Sequence, residues 1–535
     1  MNSPEIRRIT ARHSLKGVLL TGALLSVLLG KVAWGQPQVV SRVIVVTGHE
    51  SPGGGGRFVG EFGTPVLNDL GQIAFLGTTS NEVGVQRRGI FRGNSQLVSK
   101  IAFENDAVPD GNGSFDRFGI TAINNSNQVM FQGRFKSTAQ GSLDDSAIFR
   151  AEGDALTQLV RAGDMTPDHS GPYVWMFSPT FNHAGAVAFA GHALGQTGMP
   201  SDFSGSYIVD EQGVAMVARQ DSPAPAGDTF ANDGYLSTIN QLGQVAFHAG
   251  LKRADGSYIG GGLFRGDETD LVEVIRPGMA APDENGVFTE FSGPALNDRG
   301  EVAFQGYFTG TTGGTNDDGG IYVETSAGLI QVAREGQAVP NGNGVFGSFR
   351  NSAGGTSPVA LNNAGDVVFE AALSRTSNGN RNNGGLYIGD GQSIMEIVRE
   401  GATPPDGKGY FIGFGDPGLN HSGQVGFVAA LEGAGVPRGS DFGLYSYDRS
   451  AGLVQIARTG DRFLGSTLTT IRFNGSLGPN AHTRDGFNER GELAYYFMLL
   501  DGREGIAIAT LVPEAKTLVM LIHVVSAVAM LRRIN

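Results

Sequence analysis

The chain has no cysteine. That removes disulfides, zinc–thiolate centres and cysteine nucleophiles at once, and it fits a secreted bacterial protein. Charge is also scarce, with 17% of the 535 residues charged and a net charge of −13. Without residues 1–35 the body would carry −17. So acidic a body is a poor partner for nucleic acid, and none is expected, because that binding rests on neutralising phosphates. No HExxH helix motif and no nucleophile elbow occurs. Glycine, by contrast, is abundant: 83 residues, well above the average of about 7%. The glycines follow no collagen period and gather at predicted turns, as many short strands require.

Both ends read as targeting segments. Arg7, Arg8, Arg12 and Lys16 precede the apolar run 17–30, and Ala33 and Gly35 are placed for a signal-peptidase cut before Gln36. A short membrane anchor is the alternative reading. No cysteine follows the run, which excludes a lipoprotein. At the other end, Leu518–Leu531 is a 14-residue stretch that is apolar except for His523 and Ser526, and Arg532 and Arg533 follow. It is shorter than the roughly 17–25 residues that span a bilayer, and the paired arginines belong on the cytoplasmic side. Val512, Pro513, Glu514, Thr517, Arg532 and Arg533 give this tail its resemblance to the PEP-CTERM sorting signal of Gram-negative bacteria. That resemblance implies an exosortase-type protease as a partner. Ala515 stands where the motif has a second proline, and retention as a membrane anchor is the alternative. The expected division is 1–35 signal peptide, 36–511 repeat body and 512–535 sorting signal or anchor segment.

Between the ends, "LNDLGQIAF" (67–75) returns as "LNDRGEVAF" (296–304), "LNNAGDVVF" (361–369) and "LNHSGQVGF" (419–427). Alignment on Asn-x-x-Gly-x-x-Ala-Phe gives Asn68, Asn124, Asn182, Asn240, Asn297, Asn362, Asn420 and Asn488, at intervals of 56, 58, 58, 57, 65, 58 and 68 residues. The fourth position is Gly71, Gly185, Gly243, Gly300, Gly365, Gly423 and Gly491, with Asn127 in the second copy. Asn first and Gly fourth is the preference of a type I turn, and Asn is the other residue that tolerates positive φ. The motif therefore predicts a hairpin turn.

Each repeat offers a short apolar strand before the turn and a fully apolar strand after it. A variable polar loop leads to a third strand ("GIF", "GLF", "GIY", "GLY"), and a tight turn to a fourth, such as "LIQVAREG" (329–336). Four antiparallel strands per repeat, eight times over, predict an all-β, eight-bladed β-propeller; a β-solenoid is the alternative. The eighth repeat lacks a fourth strand, and the orphan "VIVVTG" (43–48) has the form to supply it as an outer closing strand. The repeats resemble the tandem NxxGxxAF family of secreted bacterial proteins. That resemblance implies envelope or surface localisation and supplies no catalytic residues.

Several constellations invite chemistry. Lys100, Arg161, Arg219, Arg276, Arg334, Arg399 and Arg458 recur on the fourth strand. They read either as a cation ring for an anionic glycan or, preferably, as rim charges that discourage edge-to-edge pairing. Leu67, Ile123, Phe181, Ile239, Leu296, Leu361 and Leu419 are expected to line the channel, and the histidines to fall at unlike places in the repeat. Asp110, Asn112 and Asp116, and the carboxylates of "NDDGG" (316–320), are candidate calcium ligands against a reading as polar turns. No other cofactor is indicated. The variable loops (76–88, 132–146, 190–205, 248–261, 305–319, 370–384, 428–442) and the connections between repeats are expected on one face, where binding usually resides. The reading favoured is an exported, monomeric binding or scaffold module in the periplasm, on the outer surface or in the extracellular matrix. Its partners would be extracellular polysaccharide or a surface protein. A propeller glycan hydrolase or lyase is the alternative.

Overall fold

The computed structural model of the protein describes residues 38–195, 203–349, 359–436, 441–475 and 485–512. The strand after each turn asparagine is apolar on both faces because it lies inside a sheet that is itself packed between two others. In the fifth repeat it runs Val302–Thr309, with Val302, Ala303 and Phe304 fully buried. It pairs antiparallel with the first strand on one side and with Gly319–Thr325 on the other, and the outer strand Gly328–Arg334 completes the sheet. Eight such sheets follow one another along the chain. Between them lie eight hydrophobic clusters, each drawing residues from two consecutive sheets, and the last joins Ala494, Tyr496 and Ile508 of the eighth to Phe58, Leu67 and Phe75 of the first. The ring closes. The fold is an eight-bladed β-propeller of four-stranded blades.

The repeated phenylalanine has a packing reason. In blades 1–7 it stacks on the aromatic of the third strand, as Phe75 on Phe91 and Phe304 on Tyr322, with ring centroids 5.1–6.0 Å apart and planes 19–28° from parallel. A first-strand aromatic then meets the third-strand ring edge-on, as Phe58 does Phe91 at 4.9 Å and Phe230 does Phe264 at 4.8 Å. Edge and offset-stacked pairs each add about 0.5–1.5 kcal/mol beyond the area they bury.

Closure uses the first strand of the chain. Gln38–Val46 is the outer strand of blade 8, hydrogen-bonded beside Glu504–Val512. It begins before and ends slightly before the span 43–48 read from sequence, and Thr47 N–H donates to Glu504 O at 2.9 Å just past its end. Ile44, Val45 and Val46 are buried. Each is worth about 1.5–3 kcal/mol if fully covered.

Two expectations need correction. The first strand starts well before the turn, near the phenylalanine that ends the connection between blades (Phe288 in "PDENGVF", 282–288; Phe346 in "PNGNGVF", 340–346), and not just ahead of the asparagine. In blade 5 it is broken into Val287–Phe291 and Ala295–Leu296, because Pro294 has no N–H to give to the second strand. The second-to-third loops are also shorter than expected. Ile73–Ser80 and Gln86–Gly93 pair through Thr78, Thr79 and Arg87, so polar residues extend the ladder and leave only 81–85 as loop. The expected signal peptide, and Pro513, Glu514, Arg532 and Arg533, lie outside the described residues. Val512 ends the third strand of blade 8 and is exposed.

Candidate functional site

The turn between first and second strands forms one face of the ring near its axis. Gly71, Gly185, Gly243, Gly300, Gly365, Gly423 and Gly491 have φ between 71° and 92°, and Asn127 has φ 59°. Each turn asparagine accepts the N–H two or four residues on, as Asn297 Oδ1 does from Arg299 and Glu301 at 3.0 and 2.9 Å. Its amide then does a second job. Asn68 Nδ2 donates to Asn124 O, Asn124 to Asn182, Asn182 to Asn240, Asn240 to Asn297, Asn297 to Asn362, Asn362 to Asn420, Asn420 to Asn488, and Asn488 back to Asn68, at 2.9–3.3 Å. All eight are 0–3% exposed. The turn series is thus a closed belt of buried side chain–to–main chain bonds between blades.

A second belt stands outside it. The next residue in each copy is Asp69, Asn125, His183, Gln241, Asp298, Asn363, His421 or Glu489. Seven of these side chains accept the N–H of the corresponding residue in the preceding blade, at 2.7–3.2 Å, including Glu489 N–H to Asp69 Oδ1 across the closure. The eighth link runs between the side chains of Asn363 and His421. His183 and His421 therefore occupy the same position of two repeats, which corrects the reading that the histidines fall at unlike places. Burial pushes the His183 imidazole below its ordinary value, against the pull of Asp69 and Asp298. The bond to Glu489 raises that of His421, against burial. The three carboxylates are committed to the frame: Asp69 also accepts from Asn125 Nδ2 at 2.6 Å, Asp298 from Asn363 Nδ2 at 2.7 Å, and Glu489 bonds His421 Nδ1.

On the opposite face the connections meet the second-to-third loops of their own blade. Asn112 Nδ2 donates to Asp144 Oδ2 and Asn112 Oδ1 accepts from Ala139 N–H, at 2.8 Å each, and Asn285 does the same with Asp317 and Thr312. The arginine series holds this face together. Arg161 reaches Asp110 Oδ2 at 2.7 Å, Asn112 O at 2.8 Å and Asp144 O at 2.9 Å. Arg334 reaches Asp283, Asn285 O and Asp317 O, and lies over the Phe308 ring at 4.3 Å. Arg161, Arg334, Arg399 and Arg458 are 3–5% exposed. They are buried staples, which overturns both the exposed-rim reading and the ligand-ring reading for these four.

The candidate calcium loops are spent in the same way. Asp110 pairs with Arg161, and Asp317 Oδ2 accepts from Asn285 and from Gly313 N–H. Among the described residues no three His, Asp or Glu side chains are grouped so as to hold a metal ion. The expected channel lining fails too. Leu67, Ile123, Phe181, Ile239, Leu296, Leu361 and Leu419 are buried in the clusters between blades. Hydrophobic burial between blades outcompetes exposure to an aqueous channel.

Three further features stand outside the two belts and the arginine staples. Glu335 is buried against Asp318, and burial with that neighbouring carboxyl pushes its own up to about 8, so it is a proton donor at neutral pH. A polar groove of about 310 Å³ lies between blades 5 and 6, lined by Gln331, Gln337, Pro340, Gln392 and Ser393. On the inner strand of blade 3 (Tyr173–Phe181), Trp175 and Phe177 are 43% and 39% exposed, and His192 packs edge-on to Phe177 at 5.0 Å.

No curated protein matches the chain. Solved structures resemble it at low identity. The β-propeller domain of the trilobed protease from Pyrococcus furiosus, described as having an open velcro topology, is 11% identical, and the match covers 75% of this chain and 99% of that one with a TM-score of 0.37. The Dos1 propeller is 10% identical over 89% of this chain and 96% of that one, with a TM-score of 0.40. The GH74 xyloglucanase from Xanthomonas campestris is 11% identical over 78% of this chain but only 55% of the enzyme, with a TM-score of 0.34. A family model, described as a family of unknown function (DUF7453), matches residues 30–90 and 85–519.

Proposed function

The chain belongs to DUF7453, a family of unknown function, and we propose that this member is an exported binding or scaffold module for extracellular polysaccharide or a surface protein. The observation that carries this reading is the commitment of the ring carboxylates. Asp69, Asp298 and Glu489 are spent on main-chain and side-chain donors of neighbouring blades, so they support a rigid frame and not a proton-transfer pair. A rigid scaffold carrying Gly-, Ser-, Thr- and Asn-rich loops is where binding commonly resides. The N-terminal charge and apolar pattern supports export, and the PEP-CTERM-like tail supports sorting by an exosortase-type protease or retention at the membrane. The repeats themselves fit the NxxGxxAF type of surface protein.

A glycan hydrolase or lyase is the second reading, favoured by Glu335, whose protonated carboxyl could serve as a general acid. One experiment separates the two. Purified protein is screened against immobilised polysaccharides while release of reducing ends is followed in parallel. Saturable binding without release is the expected result; release that is lost in Glu335→Gln would establish the enzyme, and absence of any binding or release would refute both.

A further inference from the structure

The repeats supply their own internal control: what every blade shares is required by the ring, and what one blade alone carries is not. At the ladder position opposite the third residue after the stacking phenylalanine, blades 1 and 7 place Gly60 and Gly413, and blades 2 and 5 place Arg117 and Glu290, both exposed. In blades 2 and 5 that position looks onto solvent from the innermost strand. Blade 3 has Trp175 there. Further along the strand, blades 1, 2 and 5 have Gly63, Gly119 and Ser292, and blade 3 has Phe177. Trp175 lies beside Phe177, with ring centroids 6.3 Å apart, and opposite His192 on the adjoining strand. The imidazole Nδ1 of His192 is buried with no hydrogen-bond partner. Two large rings left 43% and 39% exposed on a strand whose counterparts are charged or small gain less for the fold than buried rings do, since the exposed aromatic surface forgoes the burial that stabilises it elsewhere.

We propose that Trp175 and Phe177 form a stacking platform for a pyranose ring of a polysaccharide threaded at the central channel, a site that rests on the binding reading above. The chemistry selects the occupant. A sugar presents an apolar CH face to an aromatic ring and a rim of hydroxyls to the polar groups around it. The platform is likewise small and apolar, on a strand layer whose counterparts are Gly60, Gly413 and the charged Arg117 and Glu290. An acyl chain would need a continuous apolar groove, which these charges interrupt. Aromatic walls with a few convergent polar groups are the usual make-up of a small-ligand site.

The chain has two tryptophans, Trp34 and Trp175, so in a Trp34→Phe background the emission reports on Trp175 alone. That protein is titrated with cellohexaose, chitohexaose and alginate, with the peptide Gly-Phe-Leu-Gly as a non-sugar control, and binding is followed in parallel by calorimetry. The expected result is a saturable emission change with a saccharide. Trp175→Ala should weaken calorimetric affinity by about tenfold or more, equivalent to ~1.4 kcal/mol, while Trp175→Phe retains most of it. Both variants should melt like the parent because the side chain is exposed. Saccharide binding that Trp175→Ala leaves unchanged overturns the platform but leaves the polysaccharide reading standing. Saturable binding of the peptide alone, or of no probe, overturns the platform and counts against that reading as well.

Discussion

Asn297 caps its own turn through Oδ1 and ties blade 5 to blade 6 through Nδ2. Replacing it by alanine leaves the N–H groups of Arg299 and Glu301 without their acceptor and takes from the Asn362 carbonyl one of its two donors, the other being Gly365 N–H. Each orphaned group costs about 1–3 kcal/mol, so Asn297→Ala should lower the melting temperature measurably. Gly300→Val should do so further, since φ there is 78° and valine resists positive φ. Saccharide binding by the folded fraction should be unchanged. Glu335 gives a pH signature. Its folded value is raised to about 8, so the stability it contributes is fully present below the ordinary carboxyl value of about 4.3 and is lost as pH rises through about 8. Glu335→Gln should therefore match the wild type at pH 4 and melt higher than it at pH 9; equal melting at both would show that the carboxyl is not held neutral. The turn geometry was legible in sequence because φ > 0 is a local demand. The belt was not, because each bond joins residues 56–68 positions apart, or 420 across the closure. The shared register of His183 and His421 was there to be seen, one place after Asn182 and Asn420.

At the scale of elements, the fourth strand is the instructive case. A recurring arginine on an outer strand reads as an edge charge when only the strand is known. In the ring, the connection and the second-to-third loop fold back over it, and Arg334 is 5% exposed. Sequence could not show this, because Asp283 and Asn285 come from a connection some 50 residues earlier. Arg334→Met keeps the stem over Phe308 and removes the bonds. It should cost about 1–3 kcal/mol and open the loop 310–318 to subtilisin, visible as a new cleavage in limited proteolysis. A variant with wild-type melting and no new cleavage would mean that the staple is ornamental. The strand lengths misread from sequence have a similar origin: pairing, and not side-chain hydrophobicity, carries Thr78 and Thr79 into the ladder.

For the whole molecule, eight blades with eight interfaces require that the last meet the first. That demand was legible as an incomplete eighth repeat and an orphan strand, because a missing element in a period is visible where a contact is not. The closure rests on Gln38–Val46 beside Glu504–Val512, on Leu67 N–H to Asp485 O at 2.9 Å, and on the Asn488–Asn68 bond. Thr47 and Glu504 face each other there, with Thr47 N–H on Glu504 O at 2.9 Å and Glu504 N–H on Thr47 Oγ1 at 3.2 Å. Paired strand residues have Cα atoms about 4.5–5.5 Å apart, within the span of a disulfide. In this cysteine-free chain, the double variant Thr47→Cys with Glu504→Cys can form one intramolecular bond only. Mild oxidation of the folded protein, read by mass spectrometry and by thiol titration, should give that bond in nearly every molecule, with a melting temperature above that of the reduced form. Two free thiols that persist in folded, oxidised protein would contradict the closed ring.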